Sequence, residues 1–382
     1  MEIPITRPHL AGDEQAAVAE VIASGWISQG PKVRAFEEAF AARVGAADAV
    51  ATTSCTTALS LALHVSGVGP GDEVIVPSLS FIATANAVWH CGATPVFADI
   101  DPRTYNLDAA AAERAITPRT KAIMPVHQVG LPADMDAFLE LGRRHGVAIV
   151  EDAACAIGAN YKGRPIGSLG PLACFSLHPR KVITTGEGGM IAVSDPDVAE
   201  RLRRLRAHGM DTSDLARHSA RDIVVEAYPE RGWNSRMTDM QAALGLCQLG
   251  VLEEILERRR QLAERYTVAL EQIPHLEAPY DPPYAERTWQ SYCVRVAPGA
   301  PLERTELMRS LLHDGIATRR GVMAIHEEAS YSGQAPQGAV ELTHTEAATR
   351  ETLMLPLFPD LSEEQQDYVL ERLEACMLAL AA

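Results

Sequence analysis

The chain has 382 residues, of which 47% are hydrophobic and 22% charged; this globular balance excludes a disordered or fibrous chain, and the length calls for two domains rather than one core. Lys and Arg number 34 against 50 Asp and Glu, for a net charge of -16, which argues against nucleic acid or an anionic membrane as a partner, since both are polyanions. The seven cysteines, at 55, 91, 155, 174, 247, 293 and 376, are odd in number and form no CxxC pair, which argues against a disulfide framework and against a metal site.

The opening Met1-Glu2-Ile3-Pro4 lacks a basic segment followed by an apolar one, and no apolar run is long enough to cross a bilayer, so a cytoplasmic protein is expected. Apolar runs predict strands at Ala49–Ala51, Glu73–Pro77, Pro95–Ala98, Ala122–Val126, Ala148–Glu151, Ala173–Leu177 and Met190–Val193. Helical spacing between them predicts helices at Thr57–Val65, Thr84–His90, Asp134–Arg144 and Pro196–Ala207, the last with Asp195 at its cap and Pro196 at its first position. Its basic run, Arg201, Arg203, Arg204 and Arg206, alternates with Leu202 and Leu205 and reads as a solvated helix face. Gly69-Pro70-Gly71-Asp72 and Asp101-Pro102 are turns. Strand–helix alternation implies an α/β fold, a mainly parallel sheet with helices on both faces.

From about residue 236 the pattern changes. Two helices are expected at Met237–Leu249 and Glu253–Ile273, then a Pro-rich stretch, a strand at Ser291–Ala297, and helices at Glu303–Asp314 and Ser362–Leu380. The expected division is a large domain over residues 1–250 and a smaller C-terminal α/β domain over 251–382.

Three segments bear chemistry. Glu151-Asp152-Ala153-Ala154 closes the apolar run Val147–Val150, at the strand end where open α/β sheets bind ligands; alone, such a carboxylate reads as a helix cap. Phe175-Ser176-Leu177-His178-Pro179-Arg180-Lys181 follows another strand and runs into Thr184-Thr185-Gly186-Glu187-Gly188-Gly189. A lone lysine is by default a solvated charge, but this one lies between a strand end and a glycine-rich turn where backbone approaches ligands closely. Thr52-Thr53-Ser54-Cys55-Thr56-Thr57 lies between a strand and a helix, where hydroxyls and first-turn N–H groups either cap the helix or hold a phosphate. No GxGxxG or Walker A loop occurs, so dinucleotide and nucleoside-triphosphate readings lack support. Phosphate cradle, strand-end Asp and strand-end Lys, in that order, are the parts of a pyridoxal-phosphate site: the lysine amine forms a Schiff base with the aldehyde, and the carboxylate keeps the ring nitrogen protonated.

With these motifs the chain resembles the DegT–StrS family of pyridoxal-phosphate-dependent sugar aminotransferases along nearly its whole length. The resemblance is carried by Gly25-Trp26-Ile27-Ser28-Gln29-Gly30-Pro31, Gly71–Pro77, Phe81–Ala87, Thr120–His127, Glu151–Ala154, Lys181 with Thr184–Gly189, and Gly232-Trp233-Asn234-Ser235-Arg236-Met237-Thr238-Asp239. It implies the aspartate-aminotransferase fold (fold type I) and a cycle between pyridoxal and pyridoxamine phosphate. The amino donor implied is glutamate, and the acceptor a keto-sugar on a nucleotide. Residue by residue, the resemblance makes Lys181 the Schiff-base lysine and Asp152 the partner of the ring nitrogen. Thr56, Thr57 and Ser176 become phosphate-side contacts, Phe81 the stacking aromatic, and Asn234 a residue reaching the neighbouring subunit's cofactor, so that a homodimer is required. Trp26, His178, Arg180 and His326 are substrate-side candidates.

The chain departs from the family pattern at three places. Cys155 stands where Gln is common, beside the ring's phenolic oxygen, and reads as a small buried apolar residue. Cys55 replaces a common Gly of the phosphate loop, and Gln128 an apolar residue. Family dehydratases carry histidine at the lysine position, whereas this chain has Lys181. A cyclitol ketone or a free keto-sugar remains an open acceptor, and a non-catalytic sensor of sugar or cofactor is the alternative from another class.

Overall fold

The computed structural model describes residues 1–212, 217, 220–332 and 341–378. Seven strands form the main sheet: β1 (Asp48–Thr52), β2 (Glu73–Pro77), β3 (Thr94–Ala98), β4 (Thr120–Ile123), β5 (Ala148–Asp152), β8 (Leu172–Ser176) and β9 (Gly189–Val193). Their order is β1-β9-β8-β5-β4-β2-β3. β9 pairs antiparallel with both neighbours, while β8, β5, β4, β2 and β3 run parallel. The strands are short apolar runs because helices cover both faces, leaving no solvent side for polar residues.

The expected strands lie within one or two residues of the observed ones, except at β4, which ends at Ile123. Pro125 follows two residues on and has no N–H for a ladder; the chain rejoins the sheet at a single bridge, Val126 to Asp152. The helix expected from Met237 begins at Asp239. Thr238 stops it there: its hydroxyl accepts from Gln241 N, and the Gln241 side chain accepts from Thr238 N, a reciprocal cap. Residues 379 and 380 of the helix expected at Ser362–Leu380 lie outside the described residues; the helix runs Glu363–Leu378.

The reading of Arg201–Arg206 as a solvated face is corrected. Arg206 is buried and donates to Glu37 and the Ala51 carbonyl, and Arg203 holds Asp48 in a two-pronged pair. The helix Pro196–Leu205 therefore pins β1 and the helix Pro31–Val44 with cations matched to carboxylates.

Beyond the main sheet, β6 (Asn160–Tyr161), β7 (Arg164–Pro165) and β11 (Ala285–Glu286) form a small antiparallel sheet. A four-stranded antiparallel sheet, β10-β12-β14-β13, is built from Leu276–Glu277, Tyr292–Val296, Thr352–Leu355 and Arg319–Arg320. Helices Leu252–Leu270, Arg304–His313 and Glu363–Leu378 cover it around Tyr266, Leu307, Phe358 and Leu373. Ile3 joins this cluster from the other end of the chain through a bridge to Ile316. Among the described residues no helix is long and apolar enough to cross a membrane.

Candidate active site

The carboxyl ends of β1, β5 and β8 converge on one edge of the main sheet. Thr52 and Ser176 both pair with Gly189, the first residue of β9. The chain after β1 turns there into the helix Cys55–Val65, capped by Ser54, whose Oγ accepts from Thr57 N at 3.2 Å. Thr57 Oγ1 lies 3.0 Å from Ser54 Oγ. Helix geometry leaves the first-turn N–H groups without intrahelical acceptors, so Thr56 and Thr57 sit at a donor-rich helix end. Gly189 lies directly beneath this turn: a Cβ there would stand 2.4 Å from the Ser54 carbonyl oxygen. Any other residue would push the loop away from the sheet edge.

Asp152 ends β5 and is 4% exposed. Its Oδ2 accepts from Thr84 Oγ1 at 2.8 Å and its Oδ1 from Ala154 N at 3.2 Å. Ser80 Oγ lies 2.7 Å from Thr84 Oγ1; with the Thr84 proton given to Asp152, Ser80 is the donor in that second bond. Burial pushes the Asp152 carboxyl above the ordinary range, against the Thr84 and Ala154 hydrogen bonds and the charge of Lys181. Behind it, His127 and Glu151 are fully buried, with His127 Nε2 3.0 Å from Glu151 Oε2. His127 Nδ1 accepts from Ala133 N at 3.0 Å, so Nε2 carries the proton and donates it to Glu151.

Lys181 follows β8 by five residues on the turn before Thr184–Gly189. Its Nζ donates to Cys155 Sγ at 3.2 Å. Burial pulls the ammonium down, but Cys155, Cys55 and Asp152 outweigh it and leave Lys181 raised. Cys155 is thus not the buried apolar filler its residue type suggests; its thiol faces the amine. Ser176 is 8% exposed, its Oγ accepting from His178 N at 3.4 Å. His178 Nδ1 accepts from Arg180 N at 3.2 Å, and burial, with Arg180 and Lys181 nearby, lowers this histidine against the pull of Glu187.

The other sequence candidates lie further out. Phe81 is 58% exposed on the loop before the helix Ala83–His90. His326 reaches the same loop, its Nδ1 2.7 Å from Ser78 Oγ. Asn234 is exposed and bridges Ala207 through its backbone. Trp26 packs on Gly30, with Nε1 donating to Gln29 O at 2.9 Å. Gln128 replaces an apolar residue because its amide donates to the Leu79 carbonyl, tying the turn after β4 to the Phe81 loop. Thr84 is the residue that sequence reasoning missed; its signal was a hydroxyl at the start of a helix facing a strand-end carboxylate.

These residues fit pyridoxal phosphate. A helix end ringed with hydroxyls suits the phosphate, a buried carboxylate raised by burial suits a protonated ring nitrogen, and a half-buried amine with a soft acceptor suits a carbonyl.

The chain matches the model of the DegT/DnrJ/EryC1/StrS aminotransferase family over residues 8–374. It is 42% identical to the GDP-perosamine synthase of Caulobacter vibrioides over 98% of both chains. It is 41% identical to the spore coat polysaccharide biosynthesis protein SpsC of Bacillus subtilis, over 97% of this chain and 95% of that one. The Streptococcus pneumoniae protein Spr1654, solved in PMP and PLP forms, superposes in its PMP form with a TM-score of 0.93 at 29% identity, over 99% of this chain and 100% of that one. The chain belongs to the DegT/DnrJ/EryC1/StrS aminotransferase family and is a pyridoxal-phosphate-dependent sugar aminotransferase.

Proposed function

We propose that the chain transfers the amino group of L-glutamate to a keto-sugar carried on a nucleotide, in amino-sugar biosynthesis, with Lys181 as the cofactor-bonding residue. The observation that carries the reading is the buried Asp152 set electrostatically against Lys181 at the carboxyl edge of the sheet, beside the capped turn at Ser54. The similarity to a GDP-perosamine synthase supports the nucleotide carrier.

When bound, the cofactor supplies an electron sink for the charge that develops at the donor's α-carbon. The chain supplies the rest. Asp152 holds its carboxylate in one orientation through Thr84 and Ala154 N, ready to accept from the ring nitrogen. Thr56, Thr57 and Ser176 supply donors for the phosphate, and Phe81 an aromatic face for the ring. Lys181, once its nitrogen is free, moves the proton at the α-carbon, and Cys155 Sγ accepts from that nitrogen while it waits. In this reading His178, Arg180, His326 and Trp26 are the residues that contact the substrate.

The reading includes a homodimer. In this reading Asn234, exposed in the single chain, extends to the partner's phosphate site. A cytoplasmic location goes with this reading.

The purified protein is expected to be yellow and to bleach on adding glutamate, releasing 2-oxoglutarate. The aminated form is then offered keto-sugar acceptors, with products read by mass spectrometry. Amination of a nucleotide-linked ketone supports the acceptor assignment; conversion of only free keto-sugars or cyclitol ketones overturns it. A protein that binds cofactor without bleaching is a sensor rather than an aminotransferase.

A further inference from the structure

We propose that residues 288–290, carried by the C-terminal layer, form a clasp that positions Lys181 and Cys155, with Thr288 and Gln290 as positioning residues. The inference rests on the reading of Lys181 as the cofactor-bonding residue.

Thr288 is fully buried. Its N–H donates to the Gly130 carbonyl at 3.1 Å and its Oγ1 to the Cys155 carbonyl at 2.8 Å. Two residues on, Gln290 Nε2 donates to the Arg180 carbonyl at 2.9 Å. One three-residue segment therefore holds the backbone of Cys155, whose thiol accepts from Lys181 Nζ, and the backbone immediately preceding Lys181. The lysine is fixed from both sides by a segment distant in sequence.

The fit leaves no slack. Gly130 has φ +90, and a Cβ there would stand 2.0 Å from Thr288 Oγ1 and 3.1 Å from the Cys155 carbonyl oxygen. Trp289, between the two clasp residues, has φ 50, a backbone region costly for any side chain other than glycine's absence of one. Its ring repays that strain by burial in the C-terminal cluster, stacked on Tyr292 at 5.7 Å and lying under the Arg287 guanidinium at 4.3 Å. Arg259, also fully buried, donates through Nη1 to the carbonyls of Trp289, Gln290 and Leu357 at 3.2, 3.3 and 3.2 Å, while its buried Nε has no partner among the described residues. A buried guanidinium held by carbonyls alone is an expensive fastening, and here it fastens the turn that carries the clasp. A strained turn, locked from behind and donating forward at two points around one amine, sets geometry for chemistry, where small displacements cost rate rather than stability.

The test uses full-length, cofactor-loaded protein and the variants Thr288→Val, Thr288→Ser and Gln290→Met. Borohydride reduction with peptide mapping reports which lysine bonds the cofactor. The kcat and KM for glutamate, and the pH midpoint of the bound-cofactor absorbance, report positioning. Thr288→Val is expected to lower kcat about tenfold with KM changed less than about twofold, and to lower the midpoint by about half a unit as the Cys155 acceptor drifts from the nitrogen. Thr288→Ser, which keeps the hydroxyl, is expected to recover both, and Gln290→Met to show a smaller fall in kcat. If Thr288→Val does not fold, Gln290→Met decides by the same readouts. Wild-type kcat and midpoint in the valine and methionine variants, with the cofactor still fixed on Lys181, would overturn the clasp alone. Fixation on another lysine in the wild type would overturn the reading of Lys181 and the clasp with it.

Discussion

The carboxyl edge of the main sheet and the C-terminal layer are built on opposite rules. At the edge, burial leaves the Asp152 carboxyl raised despite the Thr84 and Ala154 hydrogen bonds, and the half-buried Lys181 amine has a thiol for its acceptor. In the C-terminal layer, Tyr266, Leu307, Phe358 and Leu373 fill a cluster with apolar surface, and its buried cation, Arg259, is held by carbonyls at Nη1 while burial lowers its pKa to about 10. In the first region a ligand relieves the unfavourable desolvation; in the second, apolar packing outweighs it. Mutations in the first should cost function and spare folding, and mutations in the apolar cluster of the second, away from residues 288–290, the reverse.

Lys181→Ala breaks the comparison most severely if it is wrong. Loss of the amine is expected to lower turnover with glutamate by roughly a thousandfold or more, with thermal unfolding little changed, read by stopped turnover assays and calorimetry. Phe358→Ala, at 1% exposure, is the mirror experiment: about 3–5 kcal/mol of stability lost, measured by denaturant unfolding, with the bound-cofactor spectrum unchanged in the folded protein.

Asp152→Asn sharpens the contrast within one residue. Burial raises the folded carboxyl above its unfolded value. Between the unfolded and folded values the folded state holds a proton that the unfolded state has lost, so ionising the group opposes folding above about pH 4 and ceases to do so at lower pH. In the cofactor-free chain the variant is expected to melt a few degrees higher at pH 7, with the gap closing towards pH 4. The same variant is expected to lose cofactor on dialysis and to turn over about a hundredfold more slowly.

The smallest effect is at Asp99, which ties β3 to the helix Thr343–Glu351. Burial pushes its carboxyl up, but donation from His344 N at 3.0 Å and from Thr345 N and Oγ1, both at 2.8 Å, outweighs it and leaves the group lowered. A lowered folded value stabilises above the unfolded value and loses that contribution as pH falls through the folded one. Asp99→Asn is expected to cost about 1 kcal/mol at pH 7, a difference that fades below about pH 4 in unfolding curves recorded across that range.

How much of this was legible in the sequence follows the same division. The strands of the main sheet could be read because, with both faces covered, each is a short apolar run bounded by turns. The order of phosphate loop, Asp152 and Lys181 could be read because function repeats a residue type at a strand end. The antiparallel direction of β9 could not, since an apolar run carries no direction. The helices Glu14–Ser24 and Pro31–Val44 and the two-residue strands β6, β7 and β11 were passed over; these strands are too short for any alternation to register. The burial of Arg206 depended on Glu37, a partner far off in the chain. The clasp at Thr288 was invisible for the same reason: a threonine reveals its acceptor only after Gly130 and Cys155 have been folded beside it.

The central claim is that one lysine amine at the sheet edge bonds the cofactor, and reduction with borohydride followed by peptide mapping examines it directly. The account predicts a single pyridoxyl-modified peptide, with the added mass on Lys181. Modification of Lys32, Lys121 or Lys162 with Lys181 unmodified would contradict it.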